Sequence, residues 1–161
     1  MDAAGAAGEA RHGVSGGLAG ELADALLPRC RFPEPGTEVV CGVSGGPDSS
    51  ALAILAVRAG CAVTIHHVDH GLRTEAAETE AEVVRRLGVV LDVPVTVSHL
   101  ALRDGADLER RARDGRAAVL GPAALLGHTA DDLAETMLLQ LVRGTGPEGL
   151  VSMRREVRPI L

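Results

Sequence analysis

Residues 38–50, Glu38-Val39-Val40-Cys41-Gly42-Val43-Ser44-Gly45-Gly46-Pro47-Asp48-Ser49-Ser50, constrain this chain more than any other stretch. They begin as an apolar run of strand length and turn at two glycines. They then pass into Ala51-Leu52-Ala53-Ile54-Leu55-Ala56-Val57, which reads as a buried helix. Strand, Gly/Ser turn and helix start, in that order, make an anion site, because loop N–H groups and the positive end of the helix dipole face one point. Ser44 and Ser49 add hydroxyls, while Gly45 and Gly46 let the backbone approach a phosphate with no Cβ in the way. Pro47 suits the first helical turn, where a missing N–H costs nothing. The loop is not a Walker A loop, since the chain contains no lysine, and it is not Gly-x-Gly-x-x-Gly. The competing reading is an ordinary Gly-rich turn between strand and helix. Asp48 weighs against it: a carboxylate here would repel an anion unless a divalent cation stood between them, so the loop points to Mg²⁺ with a polyphosphate.

Strands and helices alternate along the rest of the chain. Residues 1–20 are Ala/Gly-rich, with 1–17 reading as a disordered tail, and Leu18, Leu22, Ala25 and Leu26 mark a short amphipathic helix. The first long helix ends near Gly60, a second strand spans 61–68, and Thr74 caps a helix with Ala77, Ala81, Val84 and Leu87 on one face. That helix ends at Gly88 or runs on to Leu91. A third strand covers 93–100. Asp107 is placed to cap a helix whose inner face is Leu108, Ala112, Gly115 and Val119. A short fourth strand at 123–127 leads to a helix reaching about Val142, with Ala134, Leu138, Leu141 and Val142 facing inward. Residues 143–150 read as a Gly-rich loop and 158–161 as the start of a strand. The expected fold is α/β: a Rossmann-like parallel sheet with helices on both faces. Ligands bind beyond the carboxyl ends of strands in such sheets. The polar clusters at 44–49, 69–73 and 128–135 all follow strands, so they converge on that edge.

Asp131, Asp132 and Glu135 crowd the first turn of the last helix at i,i+3 and i,i+4 spacing. Helix capping accounts for one or two acids at about 0.3–1 kcal/mol each. It does not account for their place opposite a phosphate loop, where carboxylates hold Mg²⁺ or accept a proton from an amine. His70 suits a loop hydrogen bond as well as catalysis; His66 and His67 alternate faces of a strand; His128 opens the acidic helix and carries more weight. Arg110, Arg111, Arg113 and Arg116 share a helix, and Glu109–Arg113 and Arg110–Asp114 at i,i+4 describe a solvated face, although one of these arginines is in place to reach a phosphate. Arg143 is a further candidate for that role.

The formal net charge of −6 makes the chain as a whole no electrostatic magnet for nucleic acid, so RNA contact requires a local Arg patch. Cys30, Cys41 and Cys61 show no C-x-x-C spacing and fit reduced thiols in a cytoplasmic protein. Phe32 is the sole aromatic residue, so Ala, Val, Leu and Ile must build the core. No apolar run approaches about 18 residues, the length a membrane span requires.

The Ser44-Gly45-Gly46-Pro47-Asp48-Ser49 loop resembles the SGGxDS signature of the PP-loop ATP pyrophosphatase superfamily. Asp69-His70-Gly71-Leu72-Arg73, Glu109-x-x-Ala112-Arg113-x-x-Arg116, His128-x-x-Asp131-Asp132-x-x-Glu135-Thr136 and Arg143-Gly144-Thr145-Gly146-Pro147-x-Gly149-Leu150 are together similar to the tRNA(Ile)-lysidine synthases within it. The resemblance implies a PP-loop adenine-nucleotide-binding fold and a reaction using ATP and Mg²⁺. ATP adenylates the C2 oxygen of the wobble cytidine in isoleucine tRNA with a CAU anticodon. The side-chain amine of free L-lysine then displaces AMP to form lysidine. On this resemblance Ser44, Gly45, Gly46 and Ser49 hold pyrophosphate and Asp48 acts through Mg²⁺, with Asp131 a further metal candidate. His70, Arg73 and His128 line the nucleotide pocket, Arg113 faces the phosphate or adenylate, and Asp132 and Glu135 handle the amine or metal. A homodimer is a further implication. Ala117 departs from the tyrosine the family often carries after the Arg116 position. Residues 18–161 read as the catalytic domain, truncated inside a strand, and such a chain is expected to bind ATP without efficient tRNA modification. Two alternatives remain: another PP-loop enzyme, such as a thiolase or amidotransferase-type synthetase, and a non-catalytic nucleotide-binding module.

Overall fold

The computed structural model describes residues 18–69, 71, 74–100, 107–142 and 144. The expected tail at 1–17, His70, Arg73, Arg143, the 145–150 loop and the 158–161 strand lie outside the described residues. Helix α1 (Leu18–Leu26) is followed by a 3₁₀ turn, then β1 (Glu38–Gly42) and α2 (Pro47–Arg58). Next come β2 (Ala62–Asp69), α3 (Thr74–Leu91) and β3 (Val95–His99). Helix α4 (Leu108–Leu120), β4 (Leu125–Leu126) and α5 (Ala130–Val142) complete the described elements.

The described strands form one parallel sheet in the order β3-β2-β1-β4. Side-chain alternation divides its two faces. Val39 and Cys41 pair in register with Val63 and Ile65, and with Val43 this face packs on Ala53 and Ala56 of α2 and on Val84 and Leu91 of α3. The opposite face meets α4: a Cβ at Gly42 would lie 2.8 Å from Leu120 and 2.7 Å from Leu126. The architecture is therefore the Rossmann-like, doubly covered parallel sheet expected from the alternation. The chain leaves β1 for β2 on one side, and β4 pairs with β1 on the other. The carboxyl ends of β1 and β4 thus flank a topological switch point, where an open α/β sheet leaves a crevice.

Local chemistry sets the helix ends. Gly60, at φ +88°, stops α2, and Cys61 N–H donates to Ala56 O at 3.1 Å. Helix α3 runs through Gly88 to Leu91. The left-handed residue that ends it is Asp92 at φ +53°, after which Val93 N–H returns to Gly88 O. Asp107 stands at the start of α4 but makes no side-chain cap. Its carboxylate bonds Arg110 at 3.0 Å instead, and Asp114 acts on the same guanidinium by charge. Cys41 and Cys61 are buried and free, and burial, reinforced by Cys61, pushes the Cys41 thiol up to about 12.

Two apolar faces differ from expectation. Among the described side chains of α1, Ala23 is buried, whereas Leu22 and Leu26 are exposed. Asp24, on the same helix, pairs with Arg58 of α2. In α5, Leu138 is 62% and Val142 85% exposed among the described residues. No described helix is long and apolar enough to cross a membrane.

Candidate functional site

The turn after β1 is held by its own polar atoms. Gly45 takes φ +91°, and a Cβ there would meet the Glu80 backbone of α3 at 3.3 Å, so the loop lies flat on that helix. Ser49 is buried, accepts Ser44 N–H at 3.2 Å and donates to Gly46 O at 3.1 Å. Its hydroxyl therefore braces the loop from inside. Ser44 is exposed; its hydroxyl accepts Gly46 N–H at 3.4 Å and lies 3.2 Å from Ser49 Oγ. Pro47 occupies the first turn of α2 with Asp48 beside it, exposed.

A cleft of about 270 Å³ opens at the switch point. Ser44, Gly46, Asp48 and Ser49 line it from the β1–α2 side, and Gly127, His128 and Asp132 from the β4–α5 side. His66 and His67 of β2, Glu80 of α3 and Arg116 of α4 complete much of its wall. Five separate elements thus deliver polar side chains to one space. The clusters at 44–49 and 128–135 meet there as expected, whereas Asp69 of the 69–73 cluster is not in the described wall and bonds Gly71 N–H and His99 instead. Arg113, Asp131 and Glu135 are exposed and are not part of the described wall.

Helix α5 opens with a reciprocal cap. Asp132 accepts Thr129 N–H at 2.8 Å and Thr129 Oγ1–H at 2.9 Å, while Asp132 N–H donates to Thr129 Oγ1 at 3.2 Å. The backbone N–H of Thr129, then its hydroxyl, hold the Asp132 carboxyl below its usual range. Desolvation at the cleft wall, then the Arg116 charge, lower the His128 imidazole; Asp132 opposes them and Arg113 adds to them. Desolvation, then repulsion from Arg113, likewise lower Arg116. Two guanidiniums close enough to repel, one of them half-buried in the wall, favour an anion between them and the loop.

The resemblance picks Arg113 for the phosphate or adenylate, but Arg116 is the α4 arginine that lines the cleft, and Arg113 lies outside the described wall. Gly127 reads in the sequence only as the end of a short strand. A Cβ there would lie 2.7 Å from Ser49 Cα, 2.8 Å from Ser49 N and 2.9 Å from Asp48 C, so this turn is pressed directly on the backbone that starts α2. Its short, Gly-terminated strand opposite the loop was the one signal available.

The PP-loop domain family matches residues 21–160. The chain belongs to the PP-loop family. Among curated relatives, the tRNA(Ile)-lysidine synthase of Rhodopseudomonas palustris (strain ATCC BAA-98 / CGA009) is 43% identical over 138 residues, covering 74% of this chain and 38% of the relative. The synthase of the same name from Symbiobacterium thermophilum is 39% identical over 152 residues, covering 80% and 32%. That from Bordetella pertussis is 41% identical over 138 residues, covering 78% and 42%. The chain therefore spans about a third to two fifths of the length of these relatives.

Proposed function

We propose that this domain binds ATP in the switch-point cleft and serves a cytoplasmic tRNA(Ile)-lysidine synthase, joining lysine to the wobble cytidine of isoleucine tRNA with a CAU anticodon. The observation that carries the reading is the convergence of the Ser44–Ser49 loop, Arg116, His128 and Asp132 on one cleft, in a chain about 40% identical to proteins of that name. The surface hydroxyl of Ser44 and the first-turn N–H groups of α2 would receive the β- and γ-phosphates, and Arg116 the α-phosphate. In the first step the cytidine C2 oxygen attacks the α-phosphorus and pyrophosphate leaves. In the second the lysine side-chain amine attacks C2, AMP leaves, and the amine gives up its proton.

Mg²⁺ fits the donors present. Among the described residues no three His, Cys, Asp or Glu side chains converge on one point. Mg²⁺ needs no such cage, taking one or two carboxylates together with substrate phosphates and water. Asp48 at the cleft is in place to be that carboxylate, and bound Mg²⁺ would neutralise charge on the departing pyrophosphate. Asp132 is a weak base because its carboxyl is lowered. It suits holding the lysine ammonium by charge better than removing its proton. Glu135, one turn further along α5, is the other acid of this cluster available for that proton.

The reading is tested by supplying the protein, as its cell makes it, with ATP, radiolabelled lysine and isoleucine tRNA with a CAU anticodon. Label is expected in the tRNA; its absence beside an active control synthase would sink the proposal. Arg116 and Arg113 separate when ATP binding is measured directly. Removing a charge-assisted contact to phosphate costs about 1.5–3 kcal/mol, so Arg116→Ala is expected to weaken ATP binding about ten- to hundredfold. Arg113→Ala, outside the wall, should change it by no more than a few-fold. Equal losses would mean that Arg113 moves to the nucleotide when it binds.

A further inference from the structure

His67 forms part of the cleft wall, yet phosphate binding and amine handling leave it without a task. It is 2% exposed. Its Nδ1 lies 2.8 Å from the carbonyl oxygen of Val43, the residue before Ser44. A carbonyl only accepts, so Nδ1 carries the hydrogen, and in the neutral ring Nε2 holds the lone pair. Nε2 is shielded from solvent and has no hydrogen-bond partner among the described residues. Buried polar atoms in folded proteins are nearly always paired, so an orphan in a cleft wall asks for a ligand. The neighbouring His66 provides the contrast: its Nε2 is already bonded to Ser98 Oγ at 2.8 Å on the other face of the sheet.

We propose that His67 is a specificity-determining residue of the cleft, whose Nε2 accepts a hydrogen bond from a donor on the bound nucleoside. This rests on the nucleotide reading above. Phosphate oxygens carry no hydrogen at neutral pH and cannot serve the lone pair. The donors a nucleoside triphosphate offers are the exocyclic amine of the base and the ribose hydroxyls. Because Val43 fixes the ring and also leads into the phosphate loop, the acceptor and the loop form one rigid unit.

The test compares wild type with His67→Asn, whose amide keeps a donor toward Val43 O but removes the acceptor at the Nε2 position. Binding is measured for ATP, purine riboside triphosphate (which lacks the amine), 2′-deoxy-ATP, 3′-deoxy-ATP and pyrophosphate. Wild type is expected to bind one of the three analogues about tenfold more weakly than ATP, as for the loss of one buried hydrogen bond. His67→Asn is expected to bind ATP and that analogue equally, with pyrophosphate affinity unchanged from wild type. The analogue that loses affinity identifies the donor. Wild-type ATP affinity in a folded His67→Asn protein, or no discrimination among the analogues by wild type, would overturn the assignment. Should the variant not fold, ¹⁵N spectra of the wild-type imidazole decide it: the Nε2 resonance should move with ATP and stay with pyrophosphate, and an Nε2 signal indifferent to ATP overturns it. No ATP binding by wild type at all would overturn the nucleotide reading itself, and this assignment with it.

Discussion

Gly127→Ala is expected to cost about a hundredfold in ATP-dependent turnover and about 1–3 kcal/mol in stability. The added methyl would stand 2.7 Å from Ser49 Cα and 2.8 Å from Ser49 N, with Asp48 C at 2.9 Å. All three are backbone atoms, so no rotamer change relieves the clash, and the cost is that of forced overpacking. Either the start of α2 or the turn into α5 must move. Each carries part of the cleft: Asp48 and Ser49 on one side, His128 and Asp132 on the other. A displacement of about 1 Å between positioned groups is enough for about a 10²-fold loss. Gly46→Ala is the control for stability. Its Cβ would sit 3.5 Å from Ser44 Oγ, an ordinary contact, and its φ of −79° suits any residue. Thermal melting should therefore separate the two, with Gly127→Ala lower and Gly46→Ala near wild type. An unchanged melting temperature and unchanged turnover in Gly127→Ala would show that the two turns are not packed as described.

The contrast between Gly127 and the phosphate loop shows where sequence reading stops. The loop was legible because each residue's role is local: Gly45 must take positive φ, Pro47 must open a helix, and an aspartate in an anion site implies a cation. The sheet was legible because strand alternation and intervening helices leave few topologies. Gly127 is required only because a segment distant in sequence comes to rest on the Asp48–Ser49 backbone, and nothing near it in the chain says so. The faces of α1 and α5 failed for a related reason. Helical spacing tells which side chains share a face, but not what covers it, so Leu22 and Leu138 are exposed where the pattern sets them inward. The arginines of α4 are a finer case. Arg113 and Arg116 are one turn apart, so the same spacing serves both, and only the folded chain shows that Arg116 is the one lining the cleft. Likewise alternation separates His66 from His67 without revealing that Ser98 satisfies one, while Nε2 of the other has no hydrogen-bond partner among the described residues.

Asp48→Asn is expected to act in opposite directions with and without Mg²⁺, and this sign change distinguishes its two readings. Asp48 lies in the first turn of α2, where an acidic side chain favours the helix dipole by about 0.3–1 kcal/mol. If that were its whole role, the variant would lose a little stability and keep its chemistry. It also faces the cleft beside Ser44 and Gly46, where a polyphosphate would place several negative charges. With Mg²⁺ chelated, the carboxylate can only repel those charges, so Asn should bind ATP a few-fold more tightly than wild type. With Mg²⁺ present, the carboxylate helps to hold the cation against the departing pyrophosphate. Its loss removes a fixed electrostatic partner of the transition state, an effect of about 10²–10³-fold. ATP–pyrophosphate exchange in the presence of tRNA should fall by that factor. The melting temperature reports the dipole contribution separately, because it requires no ligand. Exchange at the wild-type rate with Mg²⁺, or weaker ATP binding in chelator, would leave Asp48 as no more than a helix-end acid.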